Sequence, residues 1–70
     1  MISKNPSQRL GQNLKRWRTK KHLSQGDIAK VLGTDRAYIS NIENGRMNPT
    51  LSTLEKLAQS LGITVDELLK

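Results

Sequence analysis

Apolar residues recur along this chain at intervals of three and four, and no segment alternates with a period of two. The pattern predicts helices and no strands. Leu10, Leu14 and Trp17 form one stripe on a first helix, which Asn5 can cap with Pro6 at its first position and Gln8 completing a capping box. That helix is expected to run to about Lys21. Ser24, with Asp27 three residues on, caps a second helix whose Ile28, Ala29 and Leu32 face inward and whose stop is Gly33. Thr34 is expected to cap a third helix, with Asp35 at its positive end and Gly45 at its close. Leu51, Leu54, Leu57, Ala58 and Leu61 give a fourth stripe halted by Gly62, and Thr64 with Glu67 opens a short fifth helix holding Leu68 and Leu69.

Helices this short are marginal in isolation, so they must share one core. Its expected members are Leu14, Trp17, Leu23, Ile28, Ala29, Leu32, Ile39, Ile42, Leu51, Leu54, Ala58, Leu61, Ile63 and Leu68. The fold expected is an all-α, compact five-helix domain spanning residues 1–70. Within it, 25–45 forms a helix-turn-helix unit and 57–70 a region for self-association. Ala29 matters here, because a small residue midway along the second helix lets the third cross close to it.

The third helix has a face with nothing to bury. Ile39 and Ile42 share one side, leaving Arg36, Ala37, Tyr38, Ser40 and Asn41 to meet solvent or a partner. A polar, donor-rich helix braced by a preceding helix is what the major groove of DNA accepts. The charge supports this. The net charge is +6, yet residues 1–46 hold ten Lys or Arg against three acids, while the remainder holds two against three. The positive field therefore lies on the same part of the chain as the two-helix unit, as phosphate binding requires.

Other chemistries find little support. Seventy residues leave no room for an ordinary catalytic cleft. No carboxylate pair, nucleophile with a base or metal cluster can be assembled, so no enzyme is expected. There is no cysteine and a single histidine, His22, so neither disulfide nor metal site is expected, and no cofactor or small-molecule ligand. His22 falls at the end of the first helix, where the dipole favours a cation. The first twenty residues contain no apolar run suited to a signal peptide or membrane span, and a cytoplasmic, nucleoid-associated protein is expected.

The runs Leu23-Ser24-Gln25, Ile28-Ala29, Leu32-Gly33, Tyr38-Ile39-Ser40, Ile42-Glu43-Asn44-Gly45, Asn48-Pro49-Thr50-Leu51 and Leu54-Glu55-Lys56-Leu57-Ala58 resemble the phage-repressor-like helix-turn-helix family, also called Xre. The resemblance extends from about Leu10 to Leu69 and is greatest to small stand-alone regulators, including controller proteins of restriction-modification systems. It implies a lambda-repressor-like, five-helix DNA-binding domain acting as a homodimer on a partly palindromic operator.

It also implies roles for individual residues. Arg36 would pair with guanine or swing to a phosphate. Tyr38, Ser40 and Asn41 would face the groove edge or the backbone, and Ala37 would touch a thymine methyl or keep clearance. Gln25, Ser24, Thr34, Asn44 and Arg46 would hold phosphates. Arg18 and Glu43 would form a structural ion pair that also aims Arg18 at the DNA backbone. Gly26 departs from the family, where a helix former is common. Leu57, Ile63, Val65 and Leu69 are the expected self-association residues. RNA polymerase is a further expected partner. Two alternatives stay open: the antitoxin of a toxin–antitoxin pair, whose apolar C-terminal face would bind a toxin protein, and a protein-interaction adaptor on the same scaffold.

Overall fold

Each helix in the computed structural model, which describes residues 5–70, starts at a residue whose side chain accepts a hydrogen bond from the first turn. Lys4, counted above in the basic part of the chain, lies outside the described residues. The elements are α1 (Pro6–Lys20), α2 (Gln25–Leu32), α3 (Arg36–Glu43), α4 (Leu51–Leu61) and α5 (Val65–Leu69), with no strand among the described residues. Asn5 Oδ1 accepts from the Gln8 N–H at 2.8 Å, one half of the expected capping box. Ser24 and Asp27 form a complete box, with bonds of 2.9 and 2.8 Å. The Ser24 backbone N–H, and then its side chain, hold the Asp27 carboxyl below the usual carboxylate range. Thr50 caps α4, and Thr64 with Glu67 boxes α5.

One cap differs from the sequence expectation. Asp35, not Thr34, caps α3, accepting from the Tyr38 N–H at 2.9 Å. Thr34 is not available, because its own N–H closes α2 by bonding the Ala29 carbonyl at 2.9 Å. The third helix therefore begins one residue later.

Four helices end in the same way. After α1, α2, α3 and α4 a residue with positive φ turns the chain: His22 at 59°, Gly33 at 72°, Gly45 at 73° and Gly62 at 69°. Each is followed by a residue whose N–H reaches five residues back, as from Leu23 to Arg18 and from Ile63 to Ala58. Glycine was legible as the stop at three of these ends. His22 does the same work with a side chain that disfavours the conformation.

All five helices feed one core, made by Leu10, Leu14, Ile28, Ala29, Ile39, Ile42, Leu57, Ala58, Leu61 and Leu68. Trp17, Leu23, Leu32, Leu54 and Ile63 pack against it while remaining partly exposed. Two expectations are corrected. Leu57, assigned to self-association, is completely buried within the single chain, because Leu54, Leu57, Ala58 and Leu61 together form the inward stripe of α4. Leu51, assigned to the core, is 67% exposed. As the first residue of α4 its side chain leans toward the helix start, past the edge of the core.

The crossing of α1 over α3 depends on Gly11. A Cβ at this position would lie 2.5 Å from the carbonyl oxygens of both Ile42 and Glu43, so only glycine lets the two backbones approach this closely. The loop after α3 is tied back to α1 by a hydrogen bond from Ser7 Oγ to Asn48 Oδ1. No helix among the described residues is long and apolar enough to cross a membrane.

Candidate nucleic-acid interface

The three-residue connection Gly33-Thr34-Asp35 sets α3 across α2, with Ile39 and Ile42 of α3 completely buried. The opposite side of α3 is open. Arg36 and Ala37 are exposed in its first turn, and Tyr38, Ser40 and Asn41 are half-buried. Eight residues give a helix about 12 Å long, short enough to enter a major groove of about the same width. Tyr38 has two sides, since its ring also packs against the core. Ser40 Oγ accepts from Asn44 Nδ2 at 3.4 Å, which links the open side of the helix to the loop that follows. Asn44 and Arg46 are exposed beyond the helix end.

A buried polar cluster braces α3 from behind. Arg18 Nε donates to Glu43 Oε2 at 2.6 Å and Nη2 to Glu43 Oε1 at 3.2 Å, while Nη1 donates to the Leu23 carbonyl at 2.9 Å. Gln25 Nε2 also donates to Glu43 Oε1, at 3.0 Å. The side chains of Arg18 and Glu43 are 15% and 3% exposed. Hydrogen bonding to Glu43 raises the Arg18 guanidinium above its already high value, against the opposing effect of burial. This arrangement neutralises the acid that would otherwise repel phosphates. It also ties together the end of α1, the start of α2 and the end of α3.

The cluster changes what two residues can offer a partner. Arg18 directs all three guanidinium nitrogens at protein acceptors, so its first role is structural. Gln25 points its amide nitrogen inward at Glu43, leaving its second N–H and its carbonyl for anything outside. Ser24 Oγ is the acceptor of the α2 cap, Thr34 is half-buried in the turn, and both lie beside the positive end of a helix.

Gln8, expected only as part of a capping box, and Gln12, not singled out by the sequence, line a polar cleft with Glu43 and Asn44 at the end of α3. Their four-residue spacing on α1 was a usable signal. Sequence reasoning missed the outer face of α1, where Lys15, Arg16 and Lys20 surround Gln12 and Thr19. Trp17 is half-buried, with the ammonium groups of Lys20 and Lys21 at 5.0 and 6.0 Å from its ring centre. Its indole N–H is buried with no hydrogen-bond partner among the described residues, and the ring packs on the core. In α5 and the turn before it Leu69 is 42% exposed and Ile63 and Val65 are half-buried. Among the described residues no group of three or more His, Cys, Asp or Glu could hold a metal ion.

This geometry has close counterparts. Residues 14–68 match the HTH_3 helix-turn-helix family. The control protein C.MunI of a Mycoplasma species is 48% identical over 61 residues, which cover 86% of this chain and 82% of that one. The restriction-modification controller protein C.AhdI from Aeromonas hydrophila has the same fold at a TM-score of 0.84 and 40% identity, over 89% of this chain and 94% of that one. C.Esp1396I, solved as a tetramer in complex with its natural 35 base-pair operator, matches at a TM-score of 0.78 and 28% identity, over 97% of this chain and all of that one. All three carry the name of control or controller proteins. The all-α fold and the Xre-like motif thus lead to one conclusion: the chain belongs to the helix-turn-helix family of transcriptional regulators.

Proposed function

We propose that this chain is a sequence-specific, double-stranded DNA-binding regulator that works as a homodimer on a partly palindromic operator. The observation that carries the reading is the open polar face of α3, held in place by the buried Arg18–Glu43–Gln25 cluster. In this reading α3 lies in the major groove. Arg36 pairs with a guanine edge, Asn41 and Ser40 face bases or backbone a turn further on, and Ala37 and Tyr38 shape the contact. Asn44, Arg46, Ser24, Thr34 and the free N–H of Gln25 hold phosphates on either side.

One recognition helix reads only a few base pairs, so useful specificity calls for a second copy about 34 Å away on the same side of the duplex. The relative C.Esp1396I occupies its 35 base-pair operator as a tetramer, which supports several copies per operator here. Ile63, Val65 and Leu69 are the side chains left to join two copies once Leu57 is assigned to the core. Regulation then follows from the chain's own concentration, through dimerisation and operator occupancy.

Selection from random duplex oligonucleotides with the purified chain tests this. The expected product is a short motif repeated with twofold symmetry, its half-sites about one helical turn apart. Failure to enrich any motif would overturn sequence-specific binding, and enrichment of a single unsymmetrical motif would overturn the dimer.

A further inference from the structure

Helix α5 is five residues long and would not hold its shape alone. Its start is fixed by the Thr64–Glu67 box, and Leu68 is completely buried. Its end poses a different problem, because the last carbonyls of a helix have no partner within it. One of them is met from across the molecule. Asn13 of α1, only 5% exposed, donates its Nδ2 to the Leu68 carbonyl at 2.9 Å, across 55 residues of sequence. Its Oδ1 accepts from Arg16 Nη2 at 3.2 Å, so both ends of the amide have partners and the donor points at α5.

We propose that Asn13 is a positioning residue for self-association: it latches the last turn of α5 to α1 and so presents Leu69 for pairing with a second copy. This rests on the homodimer reading above. The latched carbonyl belongs to the residue directly before Leu69, whose side chain is 42% exposed beside the half-buried Ile63 and Val65. With the latch in place, two copies meet as preformed surfaces. Without it, the end of α5 must be ordered at the moment of association, and that cost is subtracted from the affinity. The latch makes its bonds to Leu68 and Arg16 and to no residue of α3, so its loss removes none of the hydrogen bonds that hold α3.

Two variants separate the latch from general packing. Asn13→Asp keeps the size of the side chain and its acceptor toward Arg16, and replaces the donor by a carboxylate oxygen that faces the Leu68 carbonyl. Asn13→Ala removes both. Sedimentation equilibrium and amide hydrogen exchange are measured on wild type and both variants. Both variants should dissociate about five- to tenfold more readily, the scale of one buried hydrogen bond. Exchange protection should fall at the Leu68 and Lys70 amides, which bond Thr64 and Asp66 within the helix, while α2 and α3 amides keep theirs. Wild-type dissociation with wild-type protection in α5 overturns the latch. An equal loss of protection in every helix also overturns it, since Asn13 would then be an ordinary core contact. A wild-type chain that stays monomeric at hundreds of micromolar instead overturns the homodimer reading, and with it any role of Asn13 in pairing.

Discussion

Glu43 is the residue on which the candidate interface turns. Its carboxylate accepts from Arg18 at 2.6 and 3.2 Å and from Gln25 at 3.0 Å, and it is nearly inaccessible to water. Replacing it with alanine would leave the half-buried Arg18 guanidinium with only the Leu23 carbonyl of these acceptors to meet, so Glu43→Ala should lower stability by about 1–3 kcal/mol in urea denaturation. A loss below about 1 kcal/mol would mean that water readily replaces the carboxylate. The exposed arginines carry a different kind of energy. Arg36, at the start of α3, should lose about 1–3 kcal/mol of specific binding on replacement by alanine, with relaxed preference at one base position. Arg46→Ala should weaken all sequences alike and reduce the salt dependence of binding by about one ion. Titrations of both variants against the selected operator and a scrambled duplex at several salt concentrations distinguish the two roles. Identical behaviour would refute the assignment.

Two glycines show how an element is built, and they predict opposite outcomes. Gly11 sits where α1 crosses α3, and a methyl group there would collide with two backbone carbonyls that cannot swing aside. Gly11→Ala should therefore part the helices and cost several kcal/mol, on the order of an overpacked core site or more. Gly26 lies in the first turn of α2, where an added Cβ would meet only Ser24 Oγ, at an ordinary contact distance of 3.6 Å. Gly26→Ala should raise stability by about 0.5–1 kcal/mol, because alanine is the better helix former. Thermal melts of the pair, moving in opposite directions, are the check. The same contrast explains what the sequence made legible. Caps, boxes and glycine stops are local chemistry, so Ser24 with Asp27, Thr64 with Glu67, and Gly33, Gly45 and Gly62 could be read directly. The third helix was misplaced by one residue because Thr34 serves the end of α2, a competition that composition does not reveal. Which positions of a stripe reach the core depends on where the helix starts and what packs on it, and this is why Leu51 is exposed and Leu57 buried. Gly11 and Asn13 were unreadable for a further reason. Their partners lie on α3 and α5, and nothing about a glycine or an asparagine in an amphipathic run indicates what crosses it. At the candidate interface the exposed side of α3 followed from periodicity alone, whereas the bond from Gln25 to Glu43 needed the fold.

At the scale of the whole molecule, the basic side chains are concentrated in the first part of the sequence, and exposed apolar side chains occur there at Val31 and later at Leu51 and Leu69. The first 46 residues carry ten of the twelve basic side chains, while the C-terminal end carries the exposed Leu69 with the half-buried Ile63 and Val65. In the proposed reading α3 meets DNA and Leu69 meets a second copy, and the two functions should be separable by mutation. Leu69→Glu puts a charge on the rim without disturbing the core, because the side chain is already 42% exposed and its neighbour Leu68 supplies the buried contact. The variant should melt within about 0.5 kcal/mol of wild type, as surface substitutions do. Its binding to the full operator should fall roughly ten- to hundredfold, since the second half-site no longer profits from linkage to the first. Binding to an isolated half-site should stay the same. Wild type should show a steep, near second-order dependence of operator occupancy on chain concentration when dimers are scarce, and the variant a shallow one. A thermal melt measures the first of these quantities, and fluorescence anisotropy with full- and half-site duplexes measures the rest. Equal full-site affinity in wild type and variant would place the pairing surface elsewhere, and the exposed Val31 and Leu51 would then be the apolar side chains to substitute next.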